Sequence, residues 1–113
     1  MSYALVAGND PVDPKSSQKT EVMYVNGSTK ICQPSASYPE NARDLAGGSF
    51  LKHNLIVACG GQTSNFKAGI SACYSMSNDL KWRNFANLTT TKSDIASAIV
   101  KNGLWVTGNG EKV

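Results

Sequence analysis

Three strand-like runs in this chain end on a glycine, and they recur at nearly equal intervals. They read Leu5-Val6-Ala7-Gly8-Asn9, Ile56-Val57-Ala58-Cys59-Gly60-Gly61 and Trp105-Val106-Thr107-Gly108-Asn109, with Gly8, Gly60 and Gly108 separated by 52 and 48 residues. Self-similarity at a fixed period constrains a fold more than any single motif, because each unit must bury its apolar face against its neighbours. A period of about 50 residues accommodates four short strands with their turns, which is the content of one blade of a β-propeller.

The middle unit is complete. Residues 44–51 read as an inner strand rich in small residues, 52–54 as a turn, and 55–59 as a short buried strand closed by Gly60-Gly61. An apolar run bounded by turn residues is a standard strand signal. A polar loop, residues 62–69, leads to a third strand at 70–76; Ser77-Asn78-Asp79 makes a turn, and residues 82–85 form the outer strand. The next unit opens the same way, since Asp94-Ile95-Ala96-Ser97-Ala98-Ile99-Val100 echoes residues 44–50 at a shift of 50. Its turn is Lys101-Asn102-Gly103, with Asn-Gly as a hairpin signal, and residues 104–108 repeat the glycine-ended strand. The first unit lacks an inner strand but carries strands at residues 3–8, 20–25 and 29–32. No segment shows sustained helical periodicity.

The expected fold is therefore all-β, with roughly nine antiparallel strands divided three, four and two among blades of an incomplete propeller. Residues 1–42 make an incomplete first blade, 43–91 a complete blade and 92–113 the start of the next. A chain of 113 residues has room for one ordinary domain, whereas propellers close with about 4–8 blades and fewer than three repeats are marginal alone. The missing neighbours are expected from further blades of a longer chain or from self-association.

Composition narrows the function classes. The net charge is +3, from 11 Lys and Arg scattered without a basic run or interleaved aromatics. A nucleic-acid surface is not expected. No apolar run is long enough to cross a bilayer as a helix, and the start lacks a basic n-region, so neither membrane insertion nor a signal peptide is expected.

The order glycine pair, Tyr, Trp, then a small-residue strand resembles the kelch repeat. Gly60, Gly61, Tyr74 and Trp82 carry it, with an eight-residue step from Tyr74 to Trp82. Outside the middle unit the motif is degenerate: the glycine pair becomes Gly8-Asn9 and Gly108-Asn109, and Cys32 stands eight residues after Tyr24 where the motif would place Trp. Asn tolerates positive φ best among non-glycine residues, so the backbone geometry can survive. The basic residue before the inner strand is Arg43 and, more loosely, Lys92. The resemblance implies that the glycines permit a tight exit from the strand and that Tyr74 and Trp82 fill space between blades. Trp105 is likewise expected in the core.

Candidates for chemistry are few. His53, the one histidine, falls in a predicted turn with no converging ligands, and the carboxylates are dispersed. No metal, cofactor, nucleophile elbow or catalytic pair is expected, and the chain is not read as an enzyme. Cys59 ends one strand and Cys73 lies in the next. Two readings stand: a cross-strand disulfide, which neighbouring strands permit, or two reduced small apolar residues. Cys32 is left over. Asn26-Gly27-Ser28 and Asn87-Leu88-Thr89 are N-glycosylation sequons. Together with the cysteine pair, and with a loose similarity to secreted invertebrate kelch-type proteins at Tyr38, Cys59 and Cys73, they favour an extracellular parent over a cytoplasmic one.

Three functional classes are open to such a chain. One is a non-catalytic scaffold whose polar loops, residues 8–19 and 60–69, present a protein or glycan surface, with Phe66 and its neighbours Asn65 and Lys67 as the contact residues. The alternative is an intracellular kelch-like substrate-adaptor segment, with reduced cysteines and bare asparagines, or a fragment without independent function. A kelch-like oxidase would require a metal site that the sequence does not supply.

Overall fold

The structure, a computed structural model, describes residues 2–7, 18–40, 42–43, 46–50, 54–63 and 69–110. The protein is all-β, with no α-helix among the described residues. Among the described residues ten strands run in chain order: β1 (Ser2–Ala7), β2 (Thr20–Asn26), β3 (Thr29–Pro34), β4 (Ala42–Arg43), β5 (Ala46–Phe50), β6 (Leu55–Cys59), β7 (Gln62–Thr63), β8 (Ile70–Met76), β9 (Trp82–Val100) and β10 (Gly103–Gly110). They form antiparallel sheets of order β1-β2-β3 and β10-β9-β8-β6-β5, plus the short pair β4-β7.

Two strands expected to be separate are joined. The outer strand does not end at Phe85 but continues through residues 94–100 as the 19-residue β9. Neither Gly nor Pro interrupts this run, and Thr89-Thr90-Thr91 at its centre is β-branched, a composition that favours extended backbone. The strand changes partners instead of stopping. Pairing with β8 steps from Ala72↔Asn87 to Ile70↔Lys92, an irregularity in the ladder, and from Lys92 onward β9 pairs with β10. A bulge of this kind bends a strand and re-aims the residues beyond it.

The internal repeat is visible in the registers. β5 and β6 pair as Ala46↔Cys59, Gly48↔Val57 and Phe50↔Leu55; β9 and β10 pair as Ala96↔Thr107, Ala98↔Trp105 and Val100↔Gly103. The first strand of each hairpin is displaced by 50 residues and the second by 48. The difference lies in the turn. Four positions separate the paired Phe50 and Leu55 in the earlier hairpin, whereas Lys101 and Asn102 alone close the later one, with φ of 49° and 64°. Positive φ at both central residues is the signature of a type I′ turn, whose twist suits a hairpin. Asn102 is thus the second central residue, with Gly103 already in the strand.

The core lies between sheets. β6 is an uninterrupted apolar run, buried from Ile56 to Cys59, as expected of a strand covered on both faces. Ile56 packs with Met76 and with Val22 of β2, joined by Tyr24, Leu80 and Trp82. On the opposite face Val57, Cys59 and Cys73 pack with Leu55, Leu88 of β9 and Leu104 of β10. Successive side chains on a strand alternate between faces, so one strand serves two interfaces. Trp105 departs from expectation: it is 68% exposed. Its neighbour Leu104 takes the inward face, leaving Trp105 on the outer face of the hairpin.

Candidate functional site

The loop after β6 is held at its base by four elements. Gly60 and Gly61 are buried with φ of 68° and 91°, a backbone region that side chains rarely tolerate. This pair hands the chain from one ladder to the next: the Gly60 amide donates to Ala72 O (3.1 Å) and the Gly61 amide to Lys92 O (2.9 Å). The Ile70 amide returns a bond to Gly61 O at 2.9 Å, and Gln62 bridges Gly69. Arg43 and Ala42 pair with Gln62 and Thr63. The expected contact residues Asn65, Phe66 and Lys67 lie outside the described residues, as do Gly8 and His53.

Behind the loop base sits the disulfide. Cys59 and Cys73 stand directly opposite one another with Cα atoms 4.1 Å apart, and they are bonded. The neighbouring Gly60–Ala72 hydrogen bond marks Cys59–Cys73 as a non-hydrogen-bonded pair, in which cross-strand side chains approach most closely. Cys32 is free and exposed, opposite Met23. It does not take the place of Trp82, which stands opposite Met76 and packs in the core. The reason is the turn: residues 27–28 close the β2–β3 hairpin, whereas residues 77–81 close β8–β9, so equal sequence steps reach different registers.

Tyr74 and Trp82 meet through a residue that spacing did not single out for packing. Tyr38 is 1% exposed, and its ring lies edge-on to both Tyr74 (centroids 5.2 Å) and Trp82 (4.9 Å). Edge-to-face contact sets positive ring edges against negative faces. Its hydroxyl donates to Ala58 O at 3.4 Å, and its amide donates to Gln18 O at 2.7 Å. The signal available was Tyr38-Pro39 in an otherwise polar connection. Burial first, then Glu40, then Tyr74 push the Tyr38 phenol far above its ordinary value. Burial also raises the Glu40 carboxyl, whose buried Oε2 has no hydrogen-bond partner among the described residues.

The segment around Tyr38 ties the two larger sheets together. Ala36 O accepts from Thr20 Oγ1 (2.9 Å) of β2 and from Trp82 Nε1 (3.1 Å) of β9, while the Ala36 amide donates to Leu80 O at 3.2 Å. Leu80 has φ of 60°, unusual for leucine, and its side chain joins the Val22–Ile56–Met76 cluster. The turn is braced by Asp79, which accepts from Ser77 Oγ, the Lys81 amide and the Arg83 guanidinium. Hydrogen bonds from Arg83 above all hold the Asp79 carboxyl well below the usual carboxylate range.

Gly108 lies within β10, where the register shifts between Thr107 and Asn109. Asn87 is exposed on β9, and Asn26 ends β2 opposite Thr29. Among the described residues, no three His, Cys, Asp or Glu side chains converge as metal ligands would. Among the same residues, no helix is long and apolar enough to cross a membrane. No protein-family model matches the chain, and no curated protein matches it.

Proposed function

We propose that this protein is a non-catalytic scaffold, a section of a kelch-like propeller that binds a protein or glycan through the loop between β7 and β8. The observation that supports this is the base of that loop. Buried glycines, the Gln62–Gly69 bridge and the β4–β7 pair fix both of its ends. Short variable segments on fixed bases are where repeat scaffolds place recognition, and less ordering entropy is then lost on binding. Asn65, Phe66 and Lys67 supply an amide, an aromatic face and a cation in sequence. Tyr74, Trp82 and the cysteine pair have packing roles that serve this presentation. The disulfide and the exposed Asn87 sequon support a secreted parent carrying glycan.

The test is a glycan array and an extracellular-protein array probed with the protein secreted from eukaryotic cells, beside a variant with Asn65, Phe66 and Lys67 all changed to Ser. The reading requires a ligand that the variant loses while its unfolding transition stays unchanged. A ligand bound equally by both proteins would refute the assignment to this loop.

A further inference from the structure

We infer that Asn87 carries an N-linked glycan whose first sugar stacks on the ring of Phe85, a contact that rests on the secreted parent proposed above and is independent of the loop between β7 and β8. Two sequons occur in the chain, and each has an aromatic residue two positions before its asparagine: Tyr24-Val25-Asn26-Gly27-Ser28 and Phe85-Ala86-Asn87-Leu88-Thr89. The fold treats the two rings differently. Tyr24 packs against the buried cluster of Val22, Ile56 and Met76, so its ring is already engaged. Phe85 is 49% exposed, and Asn87 and Thr89 are exposed with it.

The ladder shows why Phe85 stands apart. Tyr74 pairs with Asn84 and Cys73 with Ala86, so Phe85 is the extra residue of a bulge, with no counterpart on β8. A bulge bends the strand and re-aims a side chain there. Beyond it, Leu88 packs against Val57, Cys59 and Cys73. Alternation along the strand sets Asn87 on the other face, opposite the small Ala72. Residues two apart in an extended chain lie about 7 Å from one another, within reach of an aromatic ring and a pyranose linked to the asparagine amide. The C–H groups of the sugar are weakly positive, and the face of an aromatic ring is negative. Their contact also removes apolar area of an exposed phenylalanine from water.

In the transfer, Asn87 Nδ2 loses one proton and bonds to C1 of N-acetylglucosamine. The bond from C1 to the polyprenyl diphosphate of a lipid-linked oligosaccharide breaks, and its electron pair leaves with the diphosphate. The Thr89 hydroxyl completes the acceptor sequence.

The test uses the full chain with Asn26→Gln, secreted from eukaryotic cells and trimmed by an endoglycosidase to one N-acetylglucosamine on Asn87. Relative to the same protein with Asn87→Gln, its melting midpoint should be higher by about 3 °C. Phe85→Ala should abolish that difference and Phe85→Trp should keep it. A purely structural role for Phe85 would shift both members of each pair alike and leave the difference unchanged. An unaltered chain that is not secreted with glycan on Asn87 overturns the proposal and counts equally against the secreted parent. A glycan on Asn87 whose effect is the same with and without the ring overturns the contact alone and leaves the secreted parent standing.

Discussion

The indole of Trp82 donates to the carbonyl of Ala36, 46 residues earlier in the chain, at 3.1 Å. Thr20 Oγ1 reaches the same oxygen from β2, so a single peptide carbonyl links the first sheet, the connecting segment and the middle sheet. Trp82→Phe keeps most of the ring and removes one of the two donors. It should cost about 1 kcal/mol, the usual worth of a hydrogen bond. Trp82→Ala, which also empties the space against Tyr38, should cost about 3 kcal/mol. Urea denaturation of both variants checks the split.

Tyr38 separates packing from polarity in the same way. Its hydroxyl bond to Ala58 is long, at 3.4 Å, so Tyr38→Phe should shift stability by less than about 1 kcal/mol at neutral pH. Tyr38→Ala should cost about 3–5 kcal/mol, because the side chain is fully buried among Ala58, Ile70, Tyr74 and Trp82.

The same residue gives a pH dependence with a definite sign. Folding raises the phenol above its ordinary 10.0, so the unfolded chain ionises first. Below that value both states are neutral and stability is intact; as pH rises through it, stability is lost. Thermal unfolding followed from about pH 8 to 11 should show this decline, and Tyr38→Phe should blunt it.

Glu40 has the same sign at the other end of the scale. Burial raises its carboxyl above the ordinary 4.5, so the unfolded chain releases this proton more readily and rising pH disfavours the fold. Glu40→Gln should therefore raise the melting midpoint at about pH 7 by about 1–3 °C and have no such effect near pH 3, as scanning calorimetry would read directly.

The disulfide can be tested chemically. Peptide mapping without reduction should recover Cys59 linked to Cys73, with Cys32 free. The bridge spans 14 residues, so replacing both cysteines by Ala should cost about 3 kcal/mol in the chain-entropy account.

Much of the middle unit was legible because its signals are local. The β6 run ends in two glycines that take positive φ, and the spacing of Cys59 and Cys73 matches a hairpin whose register sets them opposite one another. What escaped depends on contacts between distant segments. Tyr38 sits in a connection with no periodicity and acquires its role only when Trp82 and Tyr74 arrive from elsewhere in the chain. The continuity of β9 escaped because the repeat boundary falls within it, and the chain bends there through a register shift without turn residues. Trp105 was misplaced because the period locates a residue within its unit but not whether another unit lies over it.

The most direct test of the layered arrangement is hydrogen exchange across the whole chain. Amides of residues 56–59 and 73–76, in strands covered on both faces, should be the slowest in the molecule. Those of residues 104–107, in an edge strand whose Trp105 is exposed, should exchange faster by about 100-fold or more. Equal protection in the two segments, or faster exchange in β6 than in β10, would contradict the account.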